Sequence, residues 1–405
     1  MVCPTKVSKY RWLVLSVFVL CSAINYLDRQ TLATLAPLVR ADFHLSNAQY
    51  GLILAVFSIA YAACAPFAGL LIDRIGLNRA IGLAVGLWSC AGICTGFTRG
   101  LGGLVGCRGV LGMSEAAGIP GAGKAIHRYL PPAERALGNA WNQAGVSLGL
   151  IAAPPLATWI AMHYGWRRAF VVTGTLGLLW IPVWILTARA AGSRAAEPRP
   201  LGSGSPSALD LFQSPRLWAL VAANALNMSV YSLWTNWTTL YLVEKHRLAL
   251  AEANWYAVVP PLVAAAGGFG GGWLSLRWMR KGVPAVAART RVCLAGALLA
   301  LPTALIPLSP TAGWTAAGIS LSILAVSAVS VNVYTIPLDI FGGERAAFAI
   351  SMLVASYGAA QALISPVIGA VVDAHGYGPV CLVAAFLPLA AYAVLWRADF
   401  SRRGA

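Results

Sequence analysis

The chain has 405 residues, of which 59% are hydrophobic and only 10% charged, and its mean hydropathy is +0.71. A water-soluble chain carries about 25% charged residues, so this composition excludes a soluble fold and points to an all-α integral membrane protein. The formal charge of +16 does not mark a nucleic-acid surface, because the Lys and Arg residues punctuate the gaps between apolar runs and form no single patch with interleaved aromatics.

A bilayer core roughly 30 Å thick takes about 20 apolar helical residues. In chain order the apolar runs predict twelve spans, at about 12–34, 50–72, 80–98, 103–126, 137–162, 169–188, 217–242, 255–276, 290–309, 314–338, 346–372 and 379–397. Lys6, Lys9 and Arg11 precede the first run as in a signal peptide, but Asp28 and Arg29 interrupt it and no cleavage-like end follows, so the span is expected to be retained. Residues 189–216 are rich in Pro, Gly, Ser and Arg and read as a linker between a six-helix bundle over 1–188 and a second over 217–405.

Most of the Lys and Arg residues fall in the gaps that share a side with both ends and the linker. The gaps on the other side hold only Arg40, Arg99, Arg167, Arg168, Lys245 and Arg247. The positive-inside rule then places both termini and the linker in the cytoplasm of a bacterial-type inner membrane. The halves echo each other: residues 134–155 recur loosely at 344–366, and GLLIDRIGLNR at 69–79 has a degraded counterpart at 271–282, where Leu276 replaces Asp73. A duplicated six-span unit explains this. The eight cysteines lie mostly inside spans with no CxxC pair, so neither disulfides nor a metal site is expected. No Ser-His-Asp set or phosphate loop supports catalysis.

Four charges interrupt the apolar runs of the first half: Asp28, Arg29, Arg108 and Glu115. Each costs roughly 2.5–3.5 kcal/mol at the bilayer centre, and intramembrane charges are functional by default. Arg108 and Glu115 are seven residues apart, which returns them to within about 20° of one helix face, so both are expected to look into one cavity. Arginine stays charged and offers a planar fork to a carboxylate, which argues for an anionic substrate. Asp28 and Glu115 are the candidate proton-carrying carboxylates, with Arg29 and Arg108 neutralising them or the substrate in turn. The bland alternatives are ion pairs that fix helix packing and, for Arg108, snorkelling to headgroups.

INYLDRQTLATLAP at 24–37, GLLIDRIGLNR at 69–79, RGVLGMSEAAGIPGA at 108–122 and LPPAERALGNAWNQAG at 130–145 together resemble the major facilitator superfamily. Within it they resemble the anion:cation symporter branch, which includes bacterial hexuronate and hexonate proton symporters. The resemblance implies two pseudo-symmetric bundles and alternating access, with Asp28 and Glu115 at the branch's proton-coupling positions and Tyr26 and Tyr61 lining the cavity. It further implies a conformational latch at Asp73, Arg74, Gly76 and Arg79; a solvated tight turn is the alternative. Candidate substrate contacts are Arg29, Arg108, Tyr26, Tyr61, Asn142, Trp234, Trp237 and Asn332, although membrane tryptophans often face lipid. The chain departs from the branch at Thr239, where proline is expected, and at Val146, where sugar-acid carriers have glutamine.

The function read from the sequence is therefore proton-coupled symport of a small organic anion by a monomer in the lipid bilayer, with no nucleic acid, no cofactor and no enzymatic activity. Its rivals are an antiporter exporting a hydrophobic compound and a non-transporting sensor.

Overall fold

The computed structural model describes residues 7–130, 134–190, 209–341 and 343–398. Every element among them is helical: α1 (Val7–Phe43), α2 (Asn47–Ile75), α3 (Leu77–Thr95), α4 (Leu101–Glu115), α5 (Gly118–Tyr129), α6 (Arg135–Tyr164), α7 (Trp166–Ala190), the single turn α8 (Leu209–Phe212), α9 (Pro215–His246), α10 (Leu250–Ala257), α11 (Val259–Arg280), α12 (Ala285–Ala300) with a 3-10 extension (Leu301–Leu308), α13 (Ala312–Phe341), α14 (Gly343–His375) and α15 (Tyr377–Arg397). Backbone polar groups have no water to bond in a bilayer core, so helices that satisfy them internally are what such a composition can fold into.

With α4 joined to α5, α10 to α11, and α12 to its extension, the described helices other than the single turn α8 make twelve segments that match the twelve expected runs. Ten are long and apolar enough to cross a membrane. The remaining two are α4/α5 and α9, and each is polar for a structural reason. The first is broken after Glu115 and carries Arg108 and Glu115 inside the protein. The second buries Asn224, Asn227, Ser229, Ser232, Thr238 and Thr239. Asn224 donates to Leu353 O at 2.8 Å and Asn227 to Val326 O at 3.1 Å, so α9 is tied to α14 and α13 by hydrogen bonds that hydrocarbon would not compete for.

The chain forms two compact units: Met1–Leu45 with Val56–Gly202, and Ser46–Ala55 with Ser203–Ala405. The stretch 191–208 of the expected linker lies outside the described residues. In the first unit α1 packs on α6 and α3 on α7; in the second α11 packs on α13, and α9 on α13, α14 and α15. Small residues allow these approaches. A Cβ on Gly149 of α6 would lie 2.2 Å from the Ala23 carbonyl oxygen of α1, and one on Gly267 of α11 would lie 2.3 Å from that of Leu324 on α13.

The internal repeat is visible in the turns. Gly76 (φ 86) between α2 and α3 corresponds to Gly282 (φ 85) between α11 and α12, and Gly165 (φ 87) before α7 corresponds to Gly376 (φ 72) before α15. These four are the positive-φ glycines among the described residues, and they stand at matching places in the two halves. Ion pairs brace helix ends: Arg11 with Glu134 at 2.7 Å, Arg167 with Asp42 at 2.8 Å, and Arg289 with Asp339. Large apolar side chains such as Phe67, Phe269 and Leu308 stay exposed, as a lipid-facing surface requires and an aqueous one does not tolerate.

Candidate functional site

Ser22, Asn25, Tyr26 and Arg29 recur on α1 at helical spacing and so share one face. That face lines a cavity of about 300 Å³, completed by Tyr61 of α2, Trp88 of α3, Glu115 at the end of α4, and Asn142, Gln143 and Val146 of α6. Room for it comes from the break between α4 and α5, where Gly118, Ala122 and Gly123 form the wall with little or no side chain.

Glu115 and Arg29 are the charged pair of this cavity. Arg29 donates from Nε at 3.1 Å and from Nη2 at 2.8 Å, both to Oε2 of Glu115. The Glu115 side chain is fully buried, while that of Arg29 retains 24% exposure. An unpaired charge there would cost several kcal/mol, so each ion makes the other tolerable. Three rings surround the guanidinium: Tyr26 at 4.9 Å, Phe57 at 4.8 Å and Tyr61 at 5.2 Å from its carbon to the ring centroids. Each such contact contributes about 0.5–2 kcal/mol and limits how far the group can swing.

Guanidinium has five N–H donors. Glu115 takes one on Nε and one on Nη2, and the Tyr61 hydroxyl interacts with the same guanidinium; the end-on edge formed by Nη1 and the second Nη2 hydrogen has the geometry that fits a further carboxylate. Around it, Ser22 Oγ donates to Asn142 Oδ1 at 2.7 Å, so the Asn142 amide keeps its NH₂ for another acceptor. Trp88 Nε1 is buried in the lining without a hydrogen-bond partner among the described residues, while Asn25 lies against Glu115 and makes no hydrogen bond of good geometry to it. These groups give the wall hydrogen-bonding capacity beyond its charged pair.

Asp28 and Arg108 are not among the residues that line this cavity. Neighbours on a helix point about 100° apart, so the face that presents Arg29 turns Asp28 into the bundle. Asp28 is 4% exposed, with Thr173 beside it and with Arg108 and Glu115 within electrostatic reach. Neither of its carboxylate oxygens makes a hydrogen bond of good geometry among the described residues. Arg108 does share a face of α4 with Glu115, but it lies two turns, roughly 10 Å, earlier on a helix that only reaches the cavity at its last residue.

The second-unit candidates do not line this cavity either. Trp234 donates to Ser322 Oγ at 3.0 Å, and Asn332 donates to Ala328 O of its own helix at 2.9 Å. Trp237 is buried against Tyr50 with ring centroids 5.1 Å apart. Thr239 gives its hydroxyl hydrogen to Asn254 at 2.8 Å. The cavity of about 210 Å³ in that unit is walled mainly by Val, Leu, Ile and Pro of α9, α14 and α15 and offers no anchor for an anion. Of the latch residues, Gly76 makes the α2–α3 turn and Arg74 and Arg79 are exposed, while the Asp73 side chain lies outside what the structure describes.

Phe57, Ser22, Asn25, Trp88, Gln143 and Thr173 join the candidate site from outside the sequence-derived set. Ser22 and Asn25 were signalled by their spacing from Tyr26 and Arg29; the others carry no such mark.

The family model described as Major Facilitator Superfamily matches residues 18–353. The chain belongs to the major facilitator superfamily. It is 26% identical to the hexuronate transporter of Escherichia coli K12 over 409 aligned positions, covering 96% of this chain and 94% of that protein. It is 28% identical to the galacturonate transporter of Dickeya chrysanthemi, covering 73% and 90%. A crystal structure of a bacterial homologue of the human lysosomal transporter Spinster shares the fold, with a TM-score of 0.81 at 21% identity over 98% of this chain and 99% of that one. This major facilitator protein is thus a multi-pass membrane transporter and not an enzyme.

Proposed function

We propose that the protein carries a small organic anion of the sugar-acid class together with a proton, by alternating access between two six-helix bundles, with both termini in the cytoplasm. One observation carries this reading: the guanidinium of Arg29, held side-on by Glu115, in a cavity whose fixed charges already cancel. Arg29 is balanced by Glu115, and the buried Arg108 and Asp28 behind them are likewise of opposite sign. An incoming carboxylate adds one negative charge that nothing in the wall offsets, and leaving it uncompensated is expensive in a site shielded from water. A proton taken up by Glu115 or Asp28 restores neutrality. One proton per monovalent anion is the ratio this bookkeeping requires.

The rest of the wall favours a hydroxylated guest. Asn142, Gln143, Asn25 and Trp88 supply amide and indole groups for hydroxyls, and the tyrosine rings give a stacking face. Gln143 stands one turn before Val146 on α6, so an amide is present on this wall even though Val146 is not one. A volume of about 300 Å³ lies at the small end for ligand pockets, which suits a six-carbon acid better than a bulky amphiphile. The names of the hexuronate and galacturonate relatives point the same way.

The test is thermal stabilisation of the purified protein by a panel of hexuronates, hexonates, aromatic acids and neutral hexoses. A sugar acid at a hundredfold excess over its Kd should add about 2.7 kcal/mol of stability, while the neutral hexose of the same size adds none. Equal stabilisation by the neutral sugar would remove the basis for an anion site.

A further inference from the structure

The second unit contains one piece of the first half of the chain, Ser46–Ala55, most of it the start of α2. Three kinds of contact hold it there. The Asp373 carboxylate, near the end of α14, accepts the Asn47 N–H on Oδ1 at 3.0 Å and the Ala48 N–H on Oδ2 at 2.8 Å. These are donors of the first helical turn that have no partner within α2, at its electrically positive end. The Tyr50 hydroxyl donates to Asn236 O at 2.9 Å, with its ring edge-on to Trp237. The backbones approach so closely that a Cβ on Gly51 would lie 2.2 Å from Ser365 O, and one on Gly369 would lie 2.2 Å from Asn47 O.

Beyond Ala55, α2 continues into the first unit, where Phe57 and Tyr61 lie against the Arg29 guanidinium. One helix therefore has its first turn anchored by a carboxylate and, two to three turns later, carries two of the three rings around the cavity arginine. A helix this short is stiff, so a displacement of its start is passed to those rings.

We propose that Asp373 is a positioning residue for transport. Its carboxylate seats the first turn of α2, and release of that cap is the step that lets the α2 start leave α14 and carries Phe57 and Tyr61 away from Arg29. The glycines set how near the helices come. The carboxylate sets how often they stay there, because two hydrogen bonds and a charge opposite the helix dipole are lost together when the turn moves by a few ångströms. The inference rests on the reading of the Arg29 cavity as the anion site for its functional meaning, but not for its structural test.

The test uses the full-length protein in liposomes with a cysteine introduced by Ala55→Cys, a buried position of the same segment, and reads its modification by a maleimide against the same protein without that cysteine. Asp373→Asn, which loses the charge and one acceptor, should raise the labelling rate by about tenfold. It should raise the KM for counterflow exchange with little change in maximal rate, and Asp373→Glu should restore both. Unchanged labelling in Asp373→Asn overturns the proposal, as does a loss of thermal stability and maximal rate with labelling unmoved, which is the mark of a purely structural cap. If Arg29→Ala bound the anion normally, the cavity reading would fail while the labelling result still stood or fell by itself.

Discussion

Glu115→Gln should abolish gradient-driven accumulation of the substrate while exchange of labelled for unlabelled substrate across the membrane continues. The substitution keeps the size of the side chain and an oxygen that can accept from Arg29, but it fixes the charge at that position at zero. The cavity then holds a permanent positive excess at Arg29, and an anion enters without needing a proton. Substrate binding, which in the native protein should strengthen as pH falls because the proton is a co-ligand, becomes nearly independent of pH at this pair. Accumulation driven by a pH gradient should fall at least tenfold, an effect of about 1.4 kcal/mol or more on coupling, and counterflow should stay within a few-fold of native. Counterflow lost together with accumulation would mean that Glu115 holds the bundle together and carries no proton.

Arg29→Lys should weaken apparent affinity for the anion by about ten- to a hundredfold with the net charge unchanged. Lysine supplies a point charge but no planar fork, so it cannot hold Glu115 side-on and a second carboxylate end-on at once. It also gives up the flat face that packs among Tyr26, Phe57 and Tyr61. Arg29→Ala acts through a second route, because it leaves the fully buried Glu115 without its partner, and breaking such a pair costs about 3–5 kcal/mol. The double variant Arg29→Ala with Glu115→Gln separates the two: it should recover most of the thermal stability and none of the anion binding. Native affinity in Arg29→Lys, measured by substrate-dependent thermal shift, would show that charge alone suffices and that the fork has no role.

Much of this was legible in the chain. Bilayer thickness imposes one length on every span, so twelve runs could be read without knowing any contact. The charged residues of α1 and α4 stood out because hydrocarbon makes each one costly. What periodicity could not supply was direction. Asp28 and Arg29 are adjacent, so only one of them can face a given cavity, and choosing between them needed the packing of α1 on α6 and α7. The break after Glu115 likewise decides that Glu115 reaches the cavity and Arg108 does not. Phe57 and Trp88 carry no mark in the sequence, because aromatic residues in membrane helices are usually packing. The carboxylate of Asp373 on the start of α2 joins residues more than three hundred positions apart, and no local pattern in either segment announces it.

We propose that anion entry and proton entry are one event at the Arg29–Glu115 pair. It is tested most directly by reconstituting the native protein in liposomes with equal pH on both sides and a pH-reporting dye trapped inside, then adding a hexuronate outside. The lumen should acidify as the substrate enters, at about one proton per anion, and Glu115→Gln should give entry with no acidification. Saturable uptake by the native protein with the lumenal pH unmoved would contradict it.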